Sequence, residues 1–124
     1  MILTRQSSPN HQRVQRYGQG GFRVSGVDFN GSIIVTSRAT IIWPIVSMDQ
    51  ITAEDFQPLI GETGAFDVCL LGCGDRMMPI PRELRLALKA AGLSIDPMDT
   101  GAACRTYNVL MGEGRAVAAA LIAI

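Results

Sequence analysis

Histidine is almost missing from this chain, which carries one, His11, in 124 residues. A cysteine nucleophile ordinarily works with an imidazole base, so that pairing has no obvious second member. The three cysteines, Cys69, Cys73 and Cys104, are odd in number and form no CxxC. That pattern excludes a disulfide scaffold and a zinc site. Charge of one sign is lacking too, since eleven basic residues meet eleven acidic ones. A domain dedicated to nucleic acid or anionic lipid carries a basic excess, so neither partner is expected. No apolar run approaches the ~20 residues of a membrane span, and no apolar segment like that of a signal peptide lies near the start. The expectation is a cytoplasmic protein without direct membrane insertion. No Gly-Lys-Ser/Thr follows a glycine loop, which removes the Walker type of phosphate site. No cofactor, metal or catalytic set is implied.

What remains suits one domain with a core, at 48% hydrophobic and 18% charged residues. Residues 1–16 are polar, rich in Ser, Gln, Asn and Arg, and read as a disordered tail ahead of a domain over 17–124. Phe22, Val24, Val27 and Phe29 precede Asn30-Gly31, and Ile33-Ile34-Val35 follow. Asn-Gly between β-prone runs predicts a hairpin, and Gly26 reads as a bulge. Ile41-Ile42-Trp43 reads as a third strand, which Pro44 ends or marks as a sheet edge.

Thr52 with Glu54 and Asp55 has the chemistry of a helix start, and Pro58 keeps that helix short. Phe66 to Leu71 reads as a strand covered on both faces, Pro81 to Ala91 as a helix stopped by Gly92. Ser94 to Met98 is a short strand in which Pro97 marks a strand end or a sheet edge. Asp99 caps a helix from Thr100 to about Gly112 with Ala103, Tyr107, Leu110 and Met111 inward. Arg115 to Ile124 is ambiguous by propensity, but its place after strand, helix, strand, helix predicts a strand. The predicted fold is a single three-layer α/β domain: a mixed central sheet with a βαβαβ core and an N-terminal antiparallel hairpin.

Two sets of residues stand out as candidate sites. Gly72-Cys73-Gly74-Asp75 and Asp99-Thr100-Gly101 both follow parallel strands, where open α/β sheets hold ligands on backbone N–H groups and helix N-termini. With Arg105 nearby, and Arg76 as a further cation, they make a candidate crevice for a small polar molecule or anion. Each member also has a structural use, the glycines as a tight turn and Asp99 as a cap. Cys73 would be reactive only where a helix N-terminus lowers its pKa. Met77-Met78-Pro79, soft and adaptable, form a candidate interaction surface for a protein partner or a second copy of the chain.

The motifs Tyr17-Gly18-Gln19-Gly20-Gly21-Phe22-Arg23-Val24, Gly31-Ser32-Ile33-Ile34-Val35, Trp43, Gly72-Cys73-Gly74, Met98-Asp99-Thr100 and Ala103-Cys104-Arg105-Thr106-Tyr107-Asn108 resemble the small Mth-type domain family. The likeness runs from about Tyr17 to Ile124. It implies a three-layer fold, no assigned reaction, and for the mitochondrial relative a part in assembling the respiratory NADH dehydrogenase. Relatives commonly have threonine where this chain has Cys73, so the resemblance implies no thiol chemistry. The expectation for function is a non-enzymatic accessory or complex-assembly protein. The alternative is a ligand-binding protein or weak enzyme that uses the crevice.

Overall fold

A computed structural model describes residues 12–61 and 65–124. Five strands come first: β1 (Val14–Gly18), β2 (Gly21–Val24), β3 (Val27–Asn30), β4 (Ile33–Thr36) and β5 (Thr40–Ile42). Short 3₁₀ turns at Met48–Gln50 and Ala53–Phe56 lead into α1 (Gln57–Ile60). Then follow β6 (Val68–Gly72), α2 (Arg82–Ala90), β7 (Ile95–Met98), α3 (Thr100–Gly112) and β8 (Val117–Leu121). One sheet is antiparallel, β1-β2-β3; the other is mixed, in the order β5-β4-β8-β6-β7. Within it β6 pairs in parallel with β7 and β8, while β4 runs antiparallel to β8 and β5. The three layers and the βαβαβ core stand as the sequence predicts.

The central strand β8 settles the layering, because all five of its residues are buried. Strand alternation sends Ala118 and Ala120 to one core with Ile34, Leu71, Phe56, Leu59, Leu84 and Leu88, under α1 and α2. Val117, Ala119 and Leu121 face the other core with Leu70, Phe22, Phe29 and the Ala103, Tyr107 and Met111 face of α3. A strand covered on both faces cannot show the polar alternation of a surface strand, which is why its propensity is ambiguous. Pro97, which has no N–H to give a neighbour, lies on β7 at the sheet edge.

Both long helices end on a left-handed glycine. Gly92 and Gly114 have φ of +87° and +80°. Their N–H groups reach Lys89 O and Met111 O, and the next residues, Leu93 and Arg115, reach Leu88 O and Leu110 O. This is the Schellman pattern, which satisfies carbonyls that the helix end would leave bare. At the earlier helix, the Asp55 carboxylate accepts the Thr52 N–H and hydroxyl at 2.8 and 3.1 Å, and Pro58 lies in the first turn of α1, which is one turn long.

The first strands depart from the sequence reading in three places. Residues 14–16, expected in a disordered tail, belong to β1, which pairs with β2; residues 1–11, with His11, lie outside the described residues. Asn30-Gly31 does not close a hairpin, since β3 and β4 belong to different sheets. Gly31, at φ +86°, redirects the chain from one sheet to the other. Gly26 is no bulge. Ser25 (φ +44°) and Gly26 (φ +87°) join β2 to β3, and Gln19 (φ +53°) and Gly20 (φ +78°) join β1 to β2. Positive φ at both central residues is the type I′ geometry that matches strand twist.

β1 escaped the hydrophobic pattern because polar groups hold it. Asn108 of α3 accepts from Val14 N–H at 3.0 Å and donates to Val14 O at 2.8 Å, as a neighbouring strand would. The buried Tyr107 hydroxyl donates to Gln12 O at 2.6 Å, and Arg105 donates to the Tyr17 hydroxyl at 2.9 Å. Replacing Asn108 by Leu orphans both Val14 groups, at a cost of about 1–3 kcal/mol for each group that finds no water. Urea unfolding should register that loss, and hydrogen exchange at Val14 should quicken while the amides of β6 stay protected.

Candidate functional site

The corner predicted from sequence is a physical cluster, built around Thr100, which is fully buried. Its hydroxyl donates to Ile122 O at 2.7 Å and accepts the Gly74 N–H at 2.9 Å, while its own N–H goes to Gly74 O at 2.9 Å. Ile122 N–H reaches Gly72 O at 3.0 Å and Cys73 N–H reaches Met98 O at 2.8 Å. The carboxyl ends of β6, β7 and β8 are thereby tied to the first residue of α3. Gly72 is required for closeness: a Cβ there would lie 3.0 Å from both the Thr100 Cα and its Oγ1. Gly74 is required for conformation, at φ +112°.

The helix N-terminus is also occupied by the chain itself. Asp99 Oδ1 accepts the Ala102 N–H at 2.8 Å, the capping bond expected of an Asp at this position. With Thr100 N–H given to Gly74, two of the donors on which an anion would rely are already used. Gly101 makes room for an aromatic ring, since a Cβ would meet the Tyr17 hydroxyl at 2.8 Å. Arg105 is exposed and bonded to that same hydroxyl, with no ion pair among the described residues. Asp75 and Arg76 are exposed.

Cys73 turns away from this polar knot into the core under α2 and is 5% exposed. Its thiol faces Met78 O at 3.5 Å and Leu71 O at 3.8 Å. Burial pushes the Cys73 thiol up, the backbone hydrogen bonds at Met78 and Met98 draw it partly back, and the Asp99 charge adds a lesser rise. A thiol so placed stays protonated at neutral pH and is a poor nucleophile. Burial likewise raises Cys69 to about 11, with Asp96 adding, and Cys104 to about 12, where Arg105 opposes the rise and Asp99 adds to it. Among the described residues no group of three or more His, Cys, Asp or Glu could hold a metal ion.

The corner therefore brings Gly72, Gly74, Asp99 and Thr100 together, sets Gly101 and Arg105 against the Tyr17 hydroxyl, and turns Cys73 into the core. Beside it, Met77, Met78 and Pro79 are exposed on the loop to α2, Met77 by 55% and Met78 by 39%. The sequence reading places nothing at the other end of the parallel strands. There a cavity of about 410 Å³ opens between the β4–β5 loop, the approach to β6 and the end of α3.

Comparison with known proteins fits this architecture. A family described as "Protein of unknown function (DUF498/DUF598)" matches residues 14–122. The chain is 29% identical over 120 residues to the bovine (Bos taurus) protein named NADH dehydrogenase [ubiquinone] 1 alpha subcomplex assembly factor 3. That alignment covers 97% of the chain and 65% of the bovine protein, so the chain spans slightly less than two thirds of this relative. A solved structure described as an outer membrane protein from Bartonella henselae superposes with a TM-score of 0.84 at 38% identity, covering 93% of this chain and 97% of that one. A Mth938-like domain from Bordetella pertussis gives a TM-score of 0.78 at 29% identity over 99% of this chain and 92% of its own. Among the described residues no helix is long and apolar enough to cross a membrane.

Two outcomes are expected from the corner's chemistry. Thr100→Val keeps the shape but leaves Gly74 N–H and Ile122 O without their partner. It should cost about 1–3 kcal/mol per orphaned group in urea unfolding, and Thr100→Ser should recover most of it. For the thiols, the unfolded chain ionises near the ordinary value of 9.0 while folded Cys104 waits until about 12. The unfolded state then binds fewer protons, so stability is intact below pH 9 and falls from there toward pH 12. Under reducing conditions the urea midpoint should decline across that window, and Cys104→Ala should flatten the slope whatever it does to stability at pH 7.

Proposed function

This chain belongs to the DUF498/DUF598 family, and from that premise we propose that it is a non-enzymatic accessory protein that binds a protein partner during assembly of a respiratory NADH dehydrogenase-type complex. The observation that carries the reading is how the corner's polar groups are spent. Thr100, Asp99 and Arg105, the groups best suited to grip a ligand, are bonded to Gly74 and Ile122, to Ala102 and to Tyr17. The name of the bovine relative supplies the class of partner.

The contact surface in this reading is the Met77-Met78-Pro79 loop. Methionine side chains are unbranched and polarizable, so they fit an irregular partner surface at small conformational cost. Buried Ile80 anchors the loop on one side and the hydrogen-bonded corner anchors it on the other. Held at both ends, it presents its apolar side chains without folding back onto its own core. The location follows as peripheral association through the partner, with the protein itself in the cytoplasm.

The test is complementation with capture. In cells lacking the gene, assembled NADH dehydrogenase should fall, and the full chain should restore it while co-purifying at least one subunit. The double variant Met77→Ser, Met78→Ser should fold normally, as both side chains are exposed, yet lose capture and restoration together. Normal assembly in the deletion strain would refute the role, and full rescue by the double variant would refute the surface.

A further inference from the structure

We infer that the amino end of the parallel strands, opposite the corner, is a binding site for a small amphipathic anion, a carboxylate on a short apolar body. The inference starts from the cavity of about 410 Å³, which falls in the ~300–1,000 Å³ range of small-molecule sites. Its walls come from three separate segments: 36–39 between β4 and β5, 65–66 before β6, and 114–116 between α3 and β8. Its apolar lining includes Met111, which is buried, and Phe66, which is half-buried. Two arginines, Arg38 and Arg115, line the same space.

Among the described residues the charge there is not balanced. Asp67 lies 3.9 Å from Arg115, with both side chains about half exposed or more, so water screens the pair heavily. The Arg38 guanidinium has no hydrogen bond or ion pair within the described residues. Among the described residues, two arginines and one exposed carboxylate leave a positive excess beside an apolar lining. An arginine offers a planar fork of donors that fits a carboxylate or phosphate.

Both arginines stand on turns fixed by hydrogen bonds. The Thr36 hydroxyl accepts the N–H groups of Arg38 and Ala39 at 3.2 Å each, and Thr36 N–H closes the loop on Ala39 O at 2.9 Å. Arg115 is the third residue past α3, locked by its own N–H to Leu110 O at 3.0 Å in the Schellman turn at Gly114. The entrance to β6 is held to the same segment by Asp67 N–H on Ala116 O at 2.7 Å. Fixed walls lower the ordering cost of binding, which a surface dip between mobile loops would not do.

The apolar lining and the paired guanidiniums together predict which probes bind. Titration of the full chain followed by amide NMR should compare hexanoate, 1-hexanol and inorganic phosphate. Hexanoate should give saturable shifts at Ala39, Phe66 and Ala116, with 1-hexanol and phosphate each weaker by about tenfold or more, since each lacks one half of the recognition. Arg38→Gln and Arg115→Gln should each weaken hexanoate by a similar factor. Both residues are exposed, and an unchanged spectrum over α2 will show that the fold is kept. Absence of saturable shifts at these amides with millimolar hexanoate would overturn the site. Equal binding of hexanol would overturn the role of charge, equal binding of phosphate the role of the apolar lining, and full affinity in both Gln variants the assignment to these arginines.

Discussion

The buried hydroxyl of Thr100 is the constraint on which the rest of the molecule depends. One O–H and one pair of acceptor sites join the end of β6, the chain just past β8 and the first residue of α3. A buried polar group is costly unless satisfied, so this hydroxyl can occupy the core only where Gly74 and Ile122 stand where they do. The same need makes Gly72 small. Register, helix start and loop geometry at this end are therefore one problem with one solution.

From that origin α3 works as a spine with two ends and two sides. Its apolar side closes the core between the sheets, and its polar residues Arg105, Tyr107 and Asn108 hold the N-terminal strand by hydrogen bonds to Tyr17, Gln12 and Val14. Its amino end is sealed by Asp99 and Gly74. Its carboxyl end turns at Gly114 and delivers Arg115 to the cavity. The end of the sheet where α/β proteins commonly bind ligands is thus spent on architecture, while the opposite end holds a cavity lined by Arg38 and Arg115. Function attaches to sites and not to folds, and in this chain the fold's usual ligand position and the cavity lie at opposite ends of the parallel strands.

Much of the architecture was legible because it rests on local chemistry. Asp99 before Thr100, Gly92 after α2 and Pro97 near a strand end each act within a few residues of themselves, through a cap, a left-handed turn or a missing donor. The ambiguous run from Val117 was resolved only by its position after a strand–helix–strand–helix series, since alanines on a fully buried strand carry no periodic signal. The corner was legible as a place, because it follows from strand direction, but its contents were not. Whether Thr100 gives its hydroxyl to a ligand or to Ile122 depends on a residue twenty-two positions away. Arg38 and Arg115 carry no local signal for the same reason: each is one arginine in a turn, and only the fold sets both beside one cavity.

Taken by itself, then, the sequence determined the class of fold, the order of its elements and their ends, since these follow from side-chain period, capping and backbone permissiveness over short spans. It also determined membership of a family through the block from Met98 to Asn108. Tertiary structure alone decided which strands pair, and so turned Asn30-Gly31 into a passage between sheets and made residues 14–16 part of a strand. It decided too that the polar groups at the corner serve one another. Both outcomes have one cause: hydrogen-bond partners distant in sequence compete with local propensity, and in a buried setting the satisfied long-range partner wins.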